Sequence, residues 1–381
     1  MQELLQGILG MDLGRLIMMA IGGILIYLAI SKDYEPMLLL PIGFGAILAN
    51  IPFSSAIGSE GFLSILYDAG IKTELFPVLI FIAVGAMIDF GPLLQNPFML
   101  FFGAAAQFGI FATMIASLFL GDWLKDLGLG IHIGLKEAAA IGIIGAADGP
   151  TSIYVANKFA KDLLAPISVA AYSYMSLVPI IQPPVIKLLT SKRERMIRME
   201  AREVKVPKIV KILFPIMVTV VAGIIAPISV ALVGALMFGN LIRECGVLER
   251  LSKAAQNELS NLVTLLLGIT IGSTMVADKF LNPATILIMI LGLVAFIFDT
   301  AGGVLFAKFL NFFLKNKVNP MVGAAGISAF PMSARVIQRM AQKEDPTNFV
   351  LMQAVSANVA GQLGSIVAGG LLLAIVPTLL K

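Results

Sequence analysis

Long apolar runs without alternation dominate this sequence. Three of them occupy residues 98–120, 209–233 and 283–310. A membrane-spanning helix needs about 20 consecutive apolar residues, whereas the strands of a membrane barrel alternate apolar and polar side chains. The 381 residues are 58% hydrophobic and only 13% charged, against about 25% charged in soluble domains. The sequence therefore predicts an all-α polytopic membrane protein.

The placement of charge suggests how the chain is divided. Residues 16–30 are apolar and follow an N-terminus without a basic cluster, which predicts a retained first span rather than a cleaved signal peptide. The only strongly basic segment, residues 187–211, is most simply a solvated linker, and it can additionally dock a soluble partner; its charge marks the cytoplasmic side. We therefore predict an N-terminal span and turn over 1–36, a first membrane repeat over 37–186, a basic cytoplasmic linker over 187–211 and a second membrane repeat over 212–381.

The second half of the chain echoes the first. Three pairs of segments match in the same order: 43–50 with 233–240, 85–97 with 272–283, and 134–158 with 319–339. The last pair aligns Pro150 with Pro331 and Ser152 with Ser333. Interrupted apolar segments at corresponding positions of two halves point to a transporter-type site near the midplane. We expect two inverted structural repeats whose Gly/Pro-broken helical hairpins meet near the bilayer midplane.

The first break contains the residues most suggestive of chemistry. An apolar run with Gly142 and Gly145 leads into Asp148, a Gly-Pro pair and the hydroxyls of Thr151 and Ser152. Broken backbone at membrane depth is tolerated only where it is buried in protein or lines a cavity. An intramembrane carboxylate is a functional-site hypothesis by default. The simpler alternative is that Asp148 only caps the next helix.

Oxygen-bearing side chains at both breaks predict a Na⁺ or H⁺ pathway, because hard cations prefer carboxylate, hydroxyl, amide and carbonyl ligands. The candidate ligands are Asp148, Thr151 and Ser152 from the first half, and Asn319, Ser328 and Asn358 from the second. Asp89 offers a second carboxylate, with an interfacial position as the equal alternative. Asp299 lies in an apolar run and can pair with Lys308 or a hydroxyl.

Other residues narrow the possibilities. The single cysteine, Cys245, excludes an internal disulfide, and the single histidine, His132, argues against a His-ligated zinc or redox centre. Arg335 can snorkel to the interface or clamp an anionic group. Tyr172 and Tyr174 fit ordinary interfacial belt positions. The residues alone thus indicate a cation-coupled membrane protein with a site between two pseudo-repeats.

Three motifs in fixed order carry a family resemblance. They are Gly-Ala-Ala-Asp-Gly-Pro-Thr-Ser over 145–152, the segment 171–184 with its Tyr-Ser-Tyr, and Asn-Pro-Met-Val-Gly-Ala-Ala-Gly-Ile-Ser-Ala-Phe-Pro-Met-Ser-Ala-Arg over 319–335. Together they resemble the β subunit of the sodium-ion-translocating decarboxylases of oxaloacetate, methylmalonyl-CoA, glutaconyl-CoA and malonate. The likeness runs from about residue 37 to about 375. It implies a subunit that decarboxylates carboxybiotin, exports Na⁺ and consumes a proton from outside.

The resemblance also implies roles for individual residues. The essential aspartate of the family falls on Asp148 and its tyrosine on Tyr174. Arg335, with Ser328 and Tyr174, would hold carboxybiotin, and Tyr174 and Asp148 would deliver the proton. The expected Na⁺ ligands are Asp148, Asp89, Thr151, Ser152, Asn319, Gly323, Ser328 and Asn358.

Partners and location follow from the same resemblance. It implies a carboxyltransferase α subunit, a biotin carrier protein, a small single-span γ subunit, the bacterial inner membrane and a homo-oligomer, with no nucleic acid. The chain is shorter than the oxaloacetate-type subunits, which favours an acyl-CoA decarboxylase complex. The rival function is a secondary Na⁺ symporter for an organic anion. A symporter needs no biotinylated partner, so co-purification with an avidin-reactive protein separates the two.

Overall fold

The computed structural model describes residues 7, 9–32, 35–126, 133–199 and 205–380, and all regular elements within them are helical. His132 and part of the basic linker, residues 200–204, lie outside the described residues. The α-helices are α1 Leu13–Lys32, α2 Pro36–Asn50, α3 Phe62–Leu66, α4 Leu75–Met87, α5 Gly91–Gln95, α6 Leu100–Ala106, α7 Phe108–Asp126, α8 Leu135–Gly142, α9 Gly149–Phe159, α10 Leu164–Ser176, α11 Val178–Leu189, α12 Lys192–Arg195, α13 Lys208–Ile225, α14 Val230–Glu244, α15 Glu249–Ala254, α16 Ser260–Ser273, α17 Ala277–Phe280, α18 Pro283–Leu310, α19 Pro320–Ala324, α20 Met332–Glu344 and α21 Leu351–Leu379. The 3₁₀ turns are Pro97–Met99, Ile143–Ala146, Lys161–Leu163 and Pro227–Ser229, and the π turns are Tyr67–Lys72 and Ala255–Leu259.

Length and composition identify the membrane spans. Within the described ranges, six helical stretches are long and apolar enough to cross a membrane: Leu13–Lys32, Pro97–Trp123, Lys208–Ile225, Pro227–Glu244, Pro283–Leu310 and Leu351–Leu379. Two further pairs, Phe62–Lys72 with Leu75–Met87 and Lys161–Ser176 with Val178–Leu189, bend by 64° and 70° at short breaks. Counting each pair as one span gives up to eight. The prediction of an all-α, multi-pass membrane protein is confirmed.

Close helix contacts at glycine residues, termed glycine seams, join helices of one half of the chain to helices of the other. A Cβ on Gly45 of α2 would overlap the carbonyl oxygen of Ile269 in α16, and a Cβ on Gly272 of α16 would overlap the carbonyl oxygen of Ile42 in α2. Small residues allow backbones to approach this closely within membranes. The two helices therefore pack backbone to backbone.

A second seam repeats the same arrangement. A Cβ on Gly85 of α4 would overlap the carbonyl oxygen of Leu236 in α14, and a Cβ on Gly239 of α14 would overlap that of Ile82 in α4. The segments containing α2 and α14 are those that match in sequence, as are those containing α4 and α16. Each seam thus joins the first helix of one matching set to the second helix of the other.

Two buried asparagines reinforce the seams at equivalent places. Asn50 donates its amide N–H to the carbonyl of Met275 at 2.7 Å, and Asn240 donates to the carbonyl of Ile88 at 3.0 Å. Both acceptors lie three residues after a seam glycine. A buried amide without such partners would be costly at this depth. The terminal asparagines that the two halves share therefore serve helix packing.

We expect Gly239→Ala to destabilise the protein by about 2–3 kcal/mol, since the new methyl group meets backbone that cannot rotate away. The comparison is Gly234→Ala on the same helix, where the nearest atom to a Cβ lies at an ordinary 3.7 Å. That change should be neutral or stabilising, because alanine favours helices over glycine by about 1 kcal/mol. Thermal unfolding in detergent, followed by circular dichroism, measures both. Equal midpoints for the two variants would contradict the seam.

The bundle has two distinguishable ends. At the basic end, Lys211 lies 3.7 Å from Asp89, just after α4, and Arg195 pairs with Glu344 at 2.8 Å, at the end of α20. At the opposite end, Lys158 pairs with Glu74 at 2.8 Å, just before α4. Helix α4 therefore runs from the opposite end to the basic end. The position of the basic linker therefore distinguishes the two ends of the bundle, and the direction of the other helices is given relative to it.

Two broken hairpins enter this bundle. Hairpin A comprises residues 135–159, with α8, a 3₁₀ turn, a non-helical Ala147–Asp148 stretch and α9; hairpin B comprises residues 320–344, with α19 and α20. The outer end of hairpin A bonds to the opposite end through Asn157, whose amide donates to the carbonyl of Ile71 at 3.2 Å. The outer end of hairpin B bonds to the basic linker through Glu344. The expectation of Gly/Pro-broken helices at these two positions therefore matches the observed elements.

Candidate functional site

The two breaks meet in the interior of the bundle. The N–H of Ser328 in hairpin B donates to the carbonyl of Ala146 in hairpin A at 3.0 Å. Ala147, the next residue, has a left-handed φ of 52°, which ends the 3₁₀ turn and turns the chain into the extended Asp148. The break therefore leaves peptide groups in the interior that do not belong to a regular helix.

Asp148 is held at the start of α9. One carboxylate oxygen accepts the N–H of Thr151 at 3.2 Å, and the other accepts the hydroxyl of Ser365 at 2.7 Å. The residue is only 5% exposed. Asp148 is thus an N-cap, as the simpler alternative held, but a neutral cap would serve α9 without burying a charge. Its second oxygen, on the side of α21, is the one that capping does not explain.

One face of α21 supplies polar groups to both breaks. Asn358 donates to the carbonyl of Ile327 at 2.6 Å, Gln362 donates to the carbonyl of Ser328, and Ser365 donates to Asp148. These positions are spaced four and three residues apart, which places them on one side of a helix. The hydroxyl of Ser328 also donates to the carbonyl of Gly361 on the same face, at 3.1 Å. Helix α21 therefore fixes the two hairpins against each other.

A cavity of about 220 Å³ reaches this point from the basic end. Its inner lining includes Asp148, Tyr172, Ser328 and Gln362. The rest of its lining includes residues of α2, α4 and α16, among them Met87, which is close to Asp89 at the basic end. Among the described residues, the cavity therefore joins the carboxylate to the basic end of the bundle.

The oxygens around the breaks suit a monovalent hard cation. Thr151 Oγ1 and Asn358 Oδ1 are buried and have no hydrogen-bond partner in the structure. Asp148 and Ser328 add a carboxylate and a hydroxyl at the cavity. In the part of the chain that the structure describes, no group of three or more His, Cys, Asp or Glu side chains could hold a metal ion. A single carboxylate with neutral oxygens fits Na⁺, which carries one charge.

Several predicted ligands lie away from Asp148. Asp89 is 46% exposed beside Lys211 at the basic end. Asn319 caps α19 and donates to the carbonyls of Arg195 and Ile197 in the basic linker. Gly323 packs against Gly303 of α18, where a Cβ would overlap the carbonyl oxygen of Gly303. Ser152, in contrast, lies close to Asp148, but its hydroxyl donates to the carbonyl of Asp148 at 2.8 Å within hairpin A. The structure therefore brings together Asp148, Thr151, Ser328 and Asn358, and not the whole predicted set.

The two tyrosines of α10 differ in position. Tyr172 lines the cavity with Asp148 and packs against Gly149, and its buried hydroxyl has no partner in the structure. Tyr174 instead donates to the carbonyl of Met289 in α18. The sequence pattern alone fitted both tyrosines to belt positions, and the family resemblance assigned the functional role to Tyr174. Residues two apart on a helix point to different sides, so only the packing of α10 could distinguish them.

Arg335 lies on α20, one turn beyond Met332, which lines the cavity. Because α20 runs from the break to Glu344, Arg335 stands between Asp148 and the basic end. Its side chain is exposed, and among the described residues it makes no side-chain hydrogen bond or ion pair. Gln362 and Ser365 were missed as site residues, although both lie in the polar stretch of the last apolar run.

Comparison with known proteins identifies the family. The model of the family described as "Na+-transporting oxaloacetate decarboxylase beta subunit" matches residues 14–376. The chain belongs to this family. It is a β subunit of the Na⁺-transporting, biotin-dependent decarboxylases, as the resemblance implied, and the family is one of decarboxylase subunits that translocate Na⁺.

Its relatives act on different substrates. Methylmalonyl-CoA decarboxylase subunit beta of Propionigenium modestum is 48% identical over 393 residues, covering 97% of this chain and 96% of the relative. Glutaconyl-CoA decarboxylase subunit beta of Acidaminococcus fermentans is 51% identical over 370 residues, covering 97% and 95%. Oxaloacetate decarboxylase beta chain of Klebsiella pneumoniae is 44% identical over 422 residues, covering 96% of each. The three relatives therefore belong to one family and are named for three different substrates.

Proposed function

We propose that this subunit decarboxylates carboxybiotin presented by a carrier protein and couples the reaction to Na⁺ export with consumption of a proton. The observation that carries the proposal is the cavity between the basic end and Asp148. Decarboxylation breaks the bond between the carboxylate carbon and the biotin nitrogen; CO₂ leaves and the nitrogen takes up a proton. The cavity brings together a buried carboxylate and neutral oxygens, and an exposed arginine lies one helical turn beyond its lining residue Met332. This arrangement suits both the reaction and the ion.

The orientation follows from charge. Basic residues in short loops favour the cytoplasmic side of a bacterial inner membrane, so the basic end faces the cytoplasm in this proposal. The cavity then opens to the cytoplasm, where Na⁺ and the biotin carrier are available. Hairpin A, anchored at Glu74, closes the path to the other side. The described geometry corresponds to an inward-open state.

Substrate binding falls to Arg335. Its guanidinium has no ion-pair partner among the described residues and lies between the cavity and the basic end. Arginine binds carboxylates through two parallel N–H bonds. The basic linker, which packs on hairpin B through Arg195 and Glu344, gives the carrier protein a docking surface at the same end. Ser328, at the cavity, is available to both the substrate and Na⁺. Tyr172 lines the same space, whereas Tyr174 would act only through α18.

Transport requires that Asp148 be exposed alternately to the two sides. We propose that residues 37–186 and 212–381 form two inverted repeats, with hairpin A entering from outside and hairpin B from the cytoplasm. The paired glycine seams and the equivalent bonds of Asn50 and Asn240 support this symmetry. Transporters of this kind place broken helices at the repeat interface. CO₂ release would change the affinity for Na⁺ by altering the charge beside Asp148.

We propose an acyl-CoA decarboxylase complex as the setting, with a carboxyltransferase, a biotin carrier and a small γ subunit as partners. The support is the higher identity to two acyl-CoA relatives, 48% and 51%, against 44% to an oxaloacetate relative. The alignment with the oxaloacetate relative also needs 422 positions for a chain of 381 residues. A homo-oligomer in the inner membrane completes the proposal.

The test uses the complex purified by avidin capture and reconstituted in liposomes with carboxylated carrier. We expect CO₂ release that rises with Na⁺ on the side of the basic end. Matched liposomes containing K⁺ in place of Na⁺ provide the control. CO₂ release that does not depend on Na⁺, or Na⁺ uptake driven by an organic anion without carboxylated carrier, would favour the symporter instead.

Ser365→Ala should raise the Na⁺ concentration for half-maximal activity about tenfold, because a hydrogen bond to a charged group is worth about 1.5–3 kcal/mol. The lost hydroxyl leaves the second oxygen of Asp148 without its fixed orientation. Ser356→Ala on the same helix is the matched control, since the hydroxyl of Ser356 bonds only to the carbonyl of Met352 in its own helix. A similar Na⁺ dependence in both variants would argue against this role for Ser365.

A further inference from the structure

Asp299 is a second carboxylate in the interior of the bundle, on α18. It is 0% exposed. One oxygen, Oδ1, accepts the N–H of Ile110 at 3.1 Å near the start of α7. The other, Oδ2, is buried and has no hydrogen-bond partner in the structure. A buried carboxylate oxygen without a donor is costly, so its retention calls for an explanation.

Two glycines enclose this carboxylate. A Cβ on Gly109 would overlap Oδ1, and a Cβ on Gly145 of hairpin A would lie 2.8 Å from Oδ2. Ala295, one turn earlier on α18, lies against the same side of Gly145. The free oxygen therefore faces the 3₁₀ turn of hairpin A, three residues before Asp148. It occupies a close-packed place beside the break, outside the cavity that Asp148 lines.

The close packing around the Asp299 carboxylate favours a small ligand at Oδ2. A Na⁺ ion needs several oxygen ligands, whereas Gly145 and Ala295 beside this carboxylate carry no side-chain oxygen. A proton needs only one oxygen. Carboxylates buried within membrane proteins recur in proton relays.

No ion pair joins Asp299 to any side chain that the structure describes. Lys308, the expected partner on α18, instead bonds to the carbonyl of Leu189 at 3.0 Å and to Glu194 at 3.2 Å. The other titratable residues with described side chains on elements packed against α18 are Asp122 of α7, Lys136 and Glu137 of α8, Tyr172 and Tyr174 of α10, and Lys187 of α11. Asp148 follows the 3₁₀ turn, and none of these residues makes an ion pair with Asp299 in the structure.

Unpartnered hydroxyls lead away from Asp299 along α7. Thr113 and Ser117 are buried, and neither hydroxyl has a partner in the structure. With Gly109 they are spaced four residues apart, on one face of the helix. Gly121, one turn beyond, packs against Ile133 before hairpin A, so this row runs towards the opposite end. That end is the outside in the proposed orientation.

We propose that Asp299 binds the proton that enters from the opposite end of the bundle, reached past Ser117 and Thr113. The proposal rests on the proposed function in taking the proton to be the one that decarboxylation consumes. Asp299 gives its proton towards Asp148, becomes a carboxylate, and is protonated again from outside. The bond to Ile110 holds Oδ1 in both states, so only Oδ2 changes its ligand.

The experiment compares wild type, Asp299→Asn and Asp299→Ala in the reconstituted complex. Asparagine retains an acceptor for the N–H of Ile110 and removes the protonatable oxygen, whereas alanine removes both. Infrared difference spectra between low and high pH, without substrate, detect a protonated carboxylic acid directly. We expect its C=O band to be present in wild type and to be lost in Asp299→Asn, with thermal unfolding unchanged. Alkalinisation of the outside during the reaction should fall to the level of empty liposomes, and CO₂ release should fall with it, because the biotin nitrogen no longer receives its proton.

The outcomes are distinct. A wild-type band and wild-type proton uptake in Asp299→Asn, with unfolding at lower temperature in Asp299→Ala alone, would make Asp299 only a structural cap and overturn the proposal. Thr113→Val is the second variant, and it should slow proton uptake while leaving the infrared band. If wild type shows no Na⁺-stimulated CO₂ release, the proposed function fails, while the infrared measurement still decides whether Asp299 binds a proton.

Discussion

Asp148→Asn is expected to abolish Na⁺-stimulated decarboxylation, with a loss of about 100-fold or more in apparent Na⁺ affinity. Two unit charges 4 Å apart interact by about 4 kcal/mol at an effective dielectric constant of 20, and each 1.4 kcal/mol corresponds to about tenfold in binding. Asparagine caps helices as well as aspartate does, so α9 should form normally. The variant therefore removes the charge and spares the fold. CO₂ release and Na⁺ uptake by the reconstituted complex, measured against Na⁺ concentration, test this.

Asp89→Asn is the matched comparison, because both carboxylates were predicted as ligands and the structure separates them. Asp89 lies beside Lys211 and Arg243 at the basic end and is not among the residues that line the cavity at Asp148. We expect a Na⁺ dependence like that of wild type. If Asp89→Asn and Asp148→Asn lower the apparent Na⁺ affinity equally, the set of Na⁺ ligands proposed around Asp148 is incomplete.

Arg335→Gln is expected to lower kcat/KM for carboxylated carrier by about 10- to 100-fold, because hydrogen bonds to charged groups contribute about 1.5–3 kcal/mol. The effect should appear mainly as a higher KM. Arg335→Lys should be intermediate, since lysine retains the charge but lacks the two parallel donors. The Na⁺ concentration for half-maximal activity should change little. Steady-state rates of CO₂ release over a range of carrier concentrations separate these parameters.

Arg339 provides the control, being one turn further along α20 and likewise exposed. Arg339→Gln removes the same charge from the same helix, further from the break. Equal losses in Arg335→Gln and Arg339→Gln would indicate a general electrostatic effect on carrier docking. A loss confined to Arg335 would support its contact with the carboxylate.

The broken helices were predictable because they depend on local residue types. Glycine, proline and hydroxyl side chains in an apolar run, with Asp148 at their centre, indicate an interrupted helix without any knowledge of its neighbours. The same reasoning placed Ser328 and Asn358 near Asp148. The side chain of Asn358 needs hydrogen-bond partners at that depth, and one of them proved to be Ile327 in the second break.

Tertiary placement could not be predicted in the same way. Asn319 and Gly323 belong to the hairpin motif, yet one bonds to the basic linker and the other packs on α18. Tyr172 and Tyr174 have similar local sequence, and only the packing of α10 directs Tyr172 to the cavity. Ser365 matters because α21 crosses both breaks, a fact that no local pattern contains. Positions whose role depends on a distant partner therefore remained ambiguous.

The glycine seams also bear on how the protein is made. Helices α2 and α4 leave the ribosome long before α14 and α16, whose backbones they must contact. Until then their seam faces, which have little side-chain surface of their own, lie against lipid or the translocation machinery. The first half should therefore remain only loosely assembled until the second is inserted. Each half should be degraded when it is expressed alone. The two halves should accumulate when they are expressed together, because each provides the seam helices that the other must contact.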